Sequence, residues 1–375
     1  MIEVEALLIG GGHAQVAVLE DWITHGTPVR SSALLTPARF LRYSGMVPGW
    51  IAGEHGRNDG RVDLAALARA AGARMILSRC TGIDADGRVV TTSDAGAIRF
   101  AFASIDTGGV GRARQVLGDG PRILEVRPIE LFVDQLERWF RDRARTAAED
   151  APRIVVVGGG AGGVELAFGL RNAALPRRHP EVMLISGGHG LLPGFGKRTV
   201  KRARGELARQ GIAVIEEDAT IASGTLVAGT QAMPADLIVA ALGSNAPDWP
   251  RISGLRTDPQ GFIAVDAHQR LIDQPHIFAA GDVARRCDRM VPHSGVHAVF
   301  AGPVLAANLR AAIQGHAPRR AYDPRFTNLY ILSTGNGEAI ASYGPLALQG
   351  RLAALLKARI DKGWIARYAT LGVGA

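Results

Sequence analysis

A chain of 375 residues is long enough for two or three domains of ordinary size. With 47% hydrophobic and 21% charged residues it is globular rather than disordered, and no uninterrupted apolar run approaches the roughly 20 residues that span a bilayer. The formal net charge of +8 suits an anionic dinucleotide or an anionic lipid, but the arginines are not striped with aromatics, so no nucleic-acid module is expected.

The first apolar strand starts almost at Met1, which leaves no room for a secretory signal, so a cytoplasmic protein is expected. Residues 4–12 read VEALLIGGG, an apolar β-type run ending in glycines and opening a helix-like stretch. That context makes a glycine turn a dinucleotide signal. The first βαβ unit covers 4–36, and residues 37–60 form a long glycine-rich excursion. DLAALARAAGA (63–73) has helical periodicity, β-type runs lead to IDTGG (105–109), and 128–145 forms an amphipathic helix. AAEDAPR (147–153) reads as a connector.

RIVVVGGGAGGVE (153–165) then repeats the glycine design. Gly158, Gly160 and Gly163 complete its three-glycine pattern. The first glycine makes the tight turn, the second admits a pyrophosphate, and the third lets helix and strand pack closely. The first copy keeps Gly10 and Gly12 but has Gln15 in the third place. In both units the diphosphate is expected at a helix N-terminus, where free N–H groups and the helix dipole favour an anion.

Neither unit carries the ribose-binding acid at the end of its second strand. The first ends in Thr36 and Pro37, the second in Ser186, Gly187 and Gly188. No arginine lies at 186–189, and Lys197 and Arg198 come later, so NADH and NADPH are not distinguished. The second unit runs to LIVAALGSNAP (237–247), followed by a Gly-Asp box, IFAAGDV (277–283), a helix near 294–314 and a tail from about Tyr322.

Two dinucleotide sites in one chain point to nicotinamide-to-flavin electron transfer, with FAD and NAD(P)H as the cofactors. Cys80 and Cys287 form no CxxC or CxxxxC pair, which excludes a sequence-local redox disulfide, and the sequence offers no metal-ligand set.

GGGHAQVAVL (10–19), YSGMVPG (43–49), GGGAGGVELA (158–167), IFAAGDVA (277–284) and 333–361 resemble flavoproteins of the pyridine nucleotide-disulfide oxidoreductase superfamily. The likeness covers nearly the whole chain. It is greatest to type II NADH dehydrogenases, sulfide:quinone reductases and the NADH dehydrogenase-like flavoproteins found beside selenide water dikinase.

The resemblance implies an α/β fold with two Rossmann-like domains in the glutathione-reductase-like arrangement. Residues 1–115 and 248–320 would bind FAD, 116–247 would bind NAD(P), and 321–375 would form a short α+β tail. By the same resemblance, Gly10, Gly12, His13 and Ala14 would hold FAD, and Gly281 and Asp282 would meet its ribityl chain. Thr107, Gly108 and Gly109 would pass near the flavin, and Gly243 would close the nicotinamide domain. A helix starting at Ser294 would aim its positive end at the flavin pyrimidine.

Glu165 has two readings: a catalytic group at the flavin–nicotinamide junction, or an acid in the first turn stabilising its own helix. His13 either touches the flavin phosphates or fills the first helical turn. The family's lysine and Arg-Gln pair near the acceptor side are His293, Phe300 and Ala301 here.

The implied reaction is hydride transfer from NAD(P)H and electron delivery to a quinone or similar small-molecule acceptor. The alternatives are an FAD oxidase or monooxygenase, and a flavin-bearing redox accessory protein of selenium metabolism with a weak nicotinamide site. In 350–368, Leu352, Leu355, Leu356, Ile360 and Trp364 fall at helical spacing among Lys357, Arg359, Lys362 and Arg367. Such a helix can lie peripherally on the inner face of a membrane. Packing on the protein's own core or on a second copy is the expectation preferred here.

Overall fold

The computed structural model describes residues 1–120, 122–145, 150–175, 179–325 and 327–373. Residues 147–149 of the expected connector lie outside them. Two sheets organise the chain, the first mixed, with antiparallel pairing at Val89–Thr92 and Cys80–Asp84. The first runs in the order Arg74–Leu77, Ser32–Thr36, Ile2–Ile9, Ala97–Ile105, Val89–Thr92, Cys80–Asp84, and Ile277–Ala279 also pairs with Ala97–Ile105. The second is parallel throughout: Ala213–Ile215, Glu181–Ile185, Arg153–Val157, Leu237–Ala240, Ile123–Glu125.

Both glycine turns therefore leave the C-terminal end of an inner strand, the edge of an open α/β sheet where ligands bind. The strands are nearly continuous apolar runs because both faces are covered, one by the long helices and the other largely by short strands. Leu7, Leu8, Ile9, Ile154 and Val156 are fully buried.

The first dinucleotide helix, His13–His25, packs on Gly295–Ile313. That second helix is long and apolar enough to cross a bilayer by length and composition alone, although His297, Asn308 and Arg310 interrupt its apolar run. Its Ala301, Leu305 and Leu309 are buried in the same core as Val16, Leu19 and Trp22. A Cβ on Gly302 would press on Ala14 and Ala17, so glycine permits this close crossing.

The 37–60 excursion is more ordered than a loop. It holds the strand Phe40–Arg42, paired antiparallel with Arg61–Asp63, and the short helix Val47–Ile51. Buried Arg42 and nearby Arg61 both bind Glu130 of the helix Ile129–Arg145, which ties the excursion to the second half of the molecule. Asp63 caps Leu64–Ala70 by accepting the N–H groups of Ala65 and Ala66.

The tail is a three-stranded antiparallel sheet (Leu329–Ser333, Ala339–Tyr343, Leu346–Gly350) followed by the helix Arg351–Val373. This helix departs from the expectation of packing on the chain's own core, while packing on a second copy stays an expectation. Leu352, Leu355, Leu356 and Ile360 face out, Leu352 with 83% of its surface exposed. Trp364, Ile365, Tyr368 and Leu371 join the core, and Ala353 is buried near the start of the helix. At 3.6 residues per turn the leucines lie opposite Lys357 and Asp361. The inward face is turned toward a polar cluster, which leaves the apolar face uncovered.

Candidate active site

At the first turn, Gly10 has φ +93° and a Cβ there would strike the backbone of Asp106 and Thr107. A Cβ on Gly12 would meet the Asp106 carboxylate. Asp106 Oδ2 accepts the N–H groups of Ala14 at 2.8 Å and Gln15 at 3.0 Å, so the Ala14 donor is already committed. Gln15 fits in the third-glycine place because its side chain turns away to donate to Ser104 Oγ at 2.7 Å. Burial pushes the Asp106 carboxyl up to about 7 against the pull of these two N–H groups.

The Gly-Asp box closes on the same point. A Cβ on Gly281 would strike Asp106, and Asp282 is bound at 2.6 Å by Arg127. His13 opens the first dinucleotide helix with its ring 5.3 Å from Trp364 and 5.8 Å from Tyr43, which stack on each other. Burial drives the His13 imidazole down to about 4, so it is neutral at physiological pH.

Nε2 of His13 and Oε1 of Gln15 are buried with no protein partner. Orphaned polar atoms beside a glycine turn, with Arg127 near, fit a polar, phosphate-bearing cofactor such as FAD. Ser294 caps Gly295–Ile313 by accepting the His297 N–H, which aims that helix's positive end toward the Gly-Asp box. His293 lines the cavity beside Gly281, Asp282 and Ser294. Its Nε2 lies 3.1 Å from the Ala284 carbonyl oxygen and its ring packs on Phe262. Ala301 is buried and Phe300 is exposed beneath Arg325.

At the second turn, a Cβ on Gly158 would strike Ala241, and one on Gly163 would strike the Gly158 carbonyl. A Cβ on Gly160 would meet nothing within 4 Å. No side chain caps Ala161–Arg171, so its first N–H groups are free for an anion. Thr107–Gly109 and Gly243 come together where the two halves cross. Val110 and Asn245 exchange backbone hydrogen bonds of 2.9 Å, and Gly109 leaves room only for Ser244.

Glu165 lies beyond the first turn of its helix, which contains no acid, so it does not stabilise that helix end as one reading held. Its carboxylate instead accepts the Ser333 N–H at 2.9 Å and lies 3.8 Å from Lys357 Nζ. Lys357 also meets Asp361 at 3.2 Å, and burial together with the nearby Asp361 charge raises the Tyr43 hydroxyl pKa.

Burial raises the Glu165 pKa against the pull of Lys357. Burial opposes the Lys357 charge, but Glu165 and Asp361 outweigh it and hold its pKa above the usual value. Sequence reasoning missed Asp106, Arg127 and Tyr43 as partners. The first precedes the Thr-Gly-Gly turn and the others come from distant loops, so only the fold assembles them.

The pyridine nucleotide-disulphide oxidoreductase profile matches residues 5–302, which span both glycine turns and the Gly-Asp box. The chain is 25% identical over 244 residues to FAD-dependent oxidoreductase FVFD30 of Flammulina velutipes, covering 60% of this chain and 72% of that protein. It is 23% identical over 318 residues to ferroptosis suppressor protein 1 of Taeniopygia guttata, covering 76% of each. Its fold matches the sulfide:quinone oxidoreductase of Aquifex aeolicus with a TM-score of 0.79 at 16% identity, over 100% of this chain and 93% of that one. With FAD and NAD(P)H as its cofactors, the chain belongs to the pyridine nucleotide-disulphide oxidoreductase family.

Proposed function

We propose that the protein is an NADH dehydrogenase-like enzyme that passes electrons from NAD(P)H to a quinone-like acceptor. In this reading 1–115 and 248–320 hold FAD and 116–247 hold the nicotinamide nucleotide. FAD bound there supplies the hydride acceptor and the electron donor. Gly10, Gly12, His13, Arg127, Gly281, Asp282 and the Ser294 helix end hold it, with Thr107, Gly108 and Gly109 beside it. Gly158, Gly160 and Gly163 admit the nicotinamide diphosphate, and Gly243 closes that half.

The inverted tail helix carries the acceptor reading. Its inward face brings Lys357 and Asp361 to Glu165 and Tyr43, while Leu352, Leu355, Leu356 and Ile360 stay exposed. A quinone is apolar and takes up protons as it takes up electrons. The leucine face suits a lipid-dissolved molecule and a peripheral membrane contact, and the buried acid–lysine cluster holds exchangeable protons behind it. Anaerobic reduction with NADH, then reoxidation with a short-chain ubiquinone or with oxygen, tests this. Reoxidation by the quinone at least about tenfold faster than by oxygen is expected. Faster reoxidation by oxygen makes the protein an oxidase instead.

A further inference from the structure

The acid absent from the end of the second nicotinamide strand is present in space. The Glu181–Ile185 strand ends at Ser186, whose N–H donates to the Ile215 carbonyl of the neighbouring strand Ala213–Ile215 at 2.8 Å. That neighbouring strand runs straight into Glu216, Glu217 and Asp218, all exposed. Asp218 Oδ1 accepts the Gly188 N–H at 3.0 Å, and Glu216 faces Gly190.

The loop they flank rests on the second glycine turn. Leu192 N–H donates to the Gly159 carbonyl at 2.7 Å, and a Cβ on Gly159 would strike Ser186 and Gly190. Two carboxylates therefore edge the segment next to the diphosphate turn, where the adenosine ribose of a dinucleotide extends. Of the two, Glu216 is bound by Arg204 at 2.6 Å. Among the described residues no ion pair engages Asp218. His189 on this loop and Lys197, Arg198, Lys201, Arg202, Glu206 and Arg209 on its following helix are the other charged or titratable groups.

We propose that Asp218, supported by Glu216, takes the place of the missing ribose acid and makes the enzyme select NADH over NADPH. A carboxylate accepts a hydrogen bond from the free 2′-hydroxyl of NADH, and it repels the 2′-phosphate that NADPH carries there. The acid enters one strand later in the sheet than the motif places it. The proposal rests on the nicotinamide reading of the 158–163 turn.

Flavin reduction by NADH and by NADPH, measured anaerobically on holoenzyme, tests it together with calorimetric titration of NAD⁺ and NADP⁺. The parent is expected to prefer NADH by at least about tenfold in both measurements, the scale of one charge-assisted hydrogen bond. Asp218→Asn with Glu216→Gln narrows the preference by about tenfold, and Asp218→Arg reverses it. Flavin content and melting temperature stay at the parent values, since both side chains are exposed.

Equal use of the two nucleotides by the parent, or an unchanged preference in the double variant, overturns the role of Asp218. Failure of both nucleotides to reduce the flavin overturns the nicotinamide reading instead. In that case the calorimetric ratio still decides for or against Asp218.

Discussion

Helix His13–His25 and helix Ala161–Arg171 leave their strands through the same glycine design and meet opposite company. At the first, a buried carboxylate 92 residues away in sequence occupies the N–H groups of Ala14 and Gln15, and aromatic rings of Tyr43 and Trp364 close over His13. At the second, no side chain caps the helix and the space around Gly160 is open. The first turn is locked into the fold, which under the proposed function suits a tightly held FAD. The second keeps its positive helix end free, which under the same proposal suits a nucleotide that enters and leaves. A glycine pattern thus shows where a diphosphate fits, while residues far along the chain decide how permanently the turn is built in.

The contrast breaks most sharply at the middle glycine of each turn. Gly12→Val drives a branched side chain into the Asp106 carboxylate, so the protein is expected to lose FAD and much of its folded yield. A Cβ at position 160 has no neighbouring side chain within 4 Å, so Gly160→Val should fold and stay yellow at parental flavin content. Flavin reduction by NADH should nonetheless slow by on the order of 100-fold, because the nucleotide is held off its site. Flavin absorbance per protein and stopped-flow reduction measure both. A Gly12→Val protein with full flavin, or a Gly160→Val protein reduced at the parent rate, would show the two turns to be equivalent.

Next in size is the cluster that the tail helix carries to the second turn. Lys357 stands between Glu165 and Asp361 with little solvent contact. Lys357→Met leaves two facing carboxylates with no cation, which costs about 3–5 kcal/mol. Lys357→Met together with Glu165→Gln and Asp361→Asn should recover most of it, since neutral groups are tolerated where bare charges are not. Urea denaturation of the three proteins reads this. Parental stability of the single variant would mean that the cluster is open to water.

Much of the fold was legible in sequence, because apolar runs ending in glycine have few other uses. The two glycine turns, the Gly-Asp box and the helix after Ser294 follow from local pattern alone. The tail helix was legible as a helix, but its orientation was not. Leucines at helical spacing normally face inward, and only the distant Glu165 and Tyr43 explain why Lys357 and Asp361 take that face instead. Asp106 and Asp218 were passed over for a related reason. Each acts on a turn from a neighbouring strand, and strand adjacency is set by sheet order rather than by sequence spacing.

Asp106 gives the first turn a pH dependence that no cation offsets, whereas Lys357 faces the raised carboxyl of Glu165 behind the second. Its carboxyl is raised from 3.8 to about 7 by burial. A raised carboxyl contributes stability that is complete below the unfolded value near pH 4 and is lost as pH rises to about 7. His13, lowered to about 4, stays neutral over that window, and Asp282 is paired with Arg127. Asp106→Asn keeps an oxygen for the Ala14 and Gln15 N–H groups but cannot ionise. The variant should gain melting temperature relative to the parent at pH 8 and little at pH 5. A parallel shift of the two melting curves across pH 5–8 would mean that Asp106 does not titrate there.

The smallest expected effect concerns sulfur, which the sulfide:quinone oxidoreductase of similar fold is named for. Both cysteines are free. Cys80 is buried, with its Sγ 3.7 Å from the Gly82 carbonyl oxygen, and burial pushes its thiol up to about 12, so it holds no nucleophilic thiolate near neutral pH. Cys287 is exposed just after the strand Ala284–Arg286. Neither lies at either glycine turn. Cys80→Ala with Cys287→Ser should therefore leave flavin reduction by NADH within about threefold of the parent, the residue of a small cavity rather than of lost chemistry. Stopped-flow reduction of the double variant at full flavin content measures it. A loss beyond tenfold would place a thiol in the electron path and would remove the distinction between a locked flavin turn and an open nicotinamide turn as the sole machinery of hydride entry.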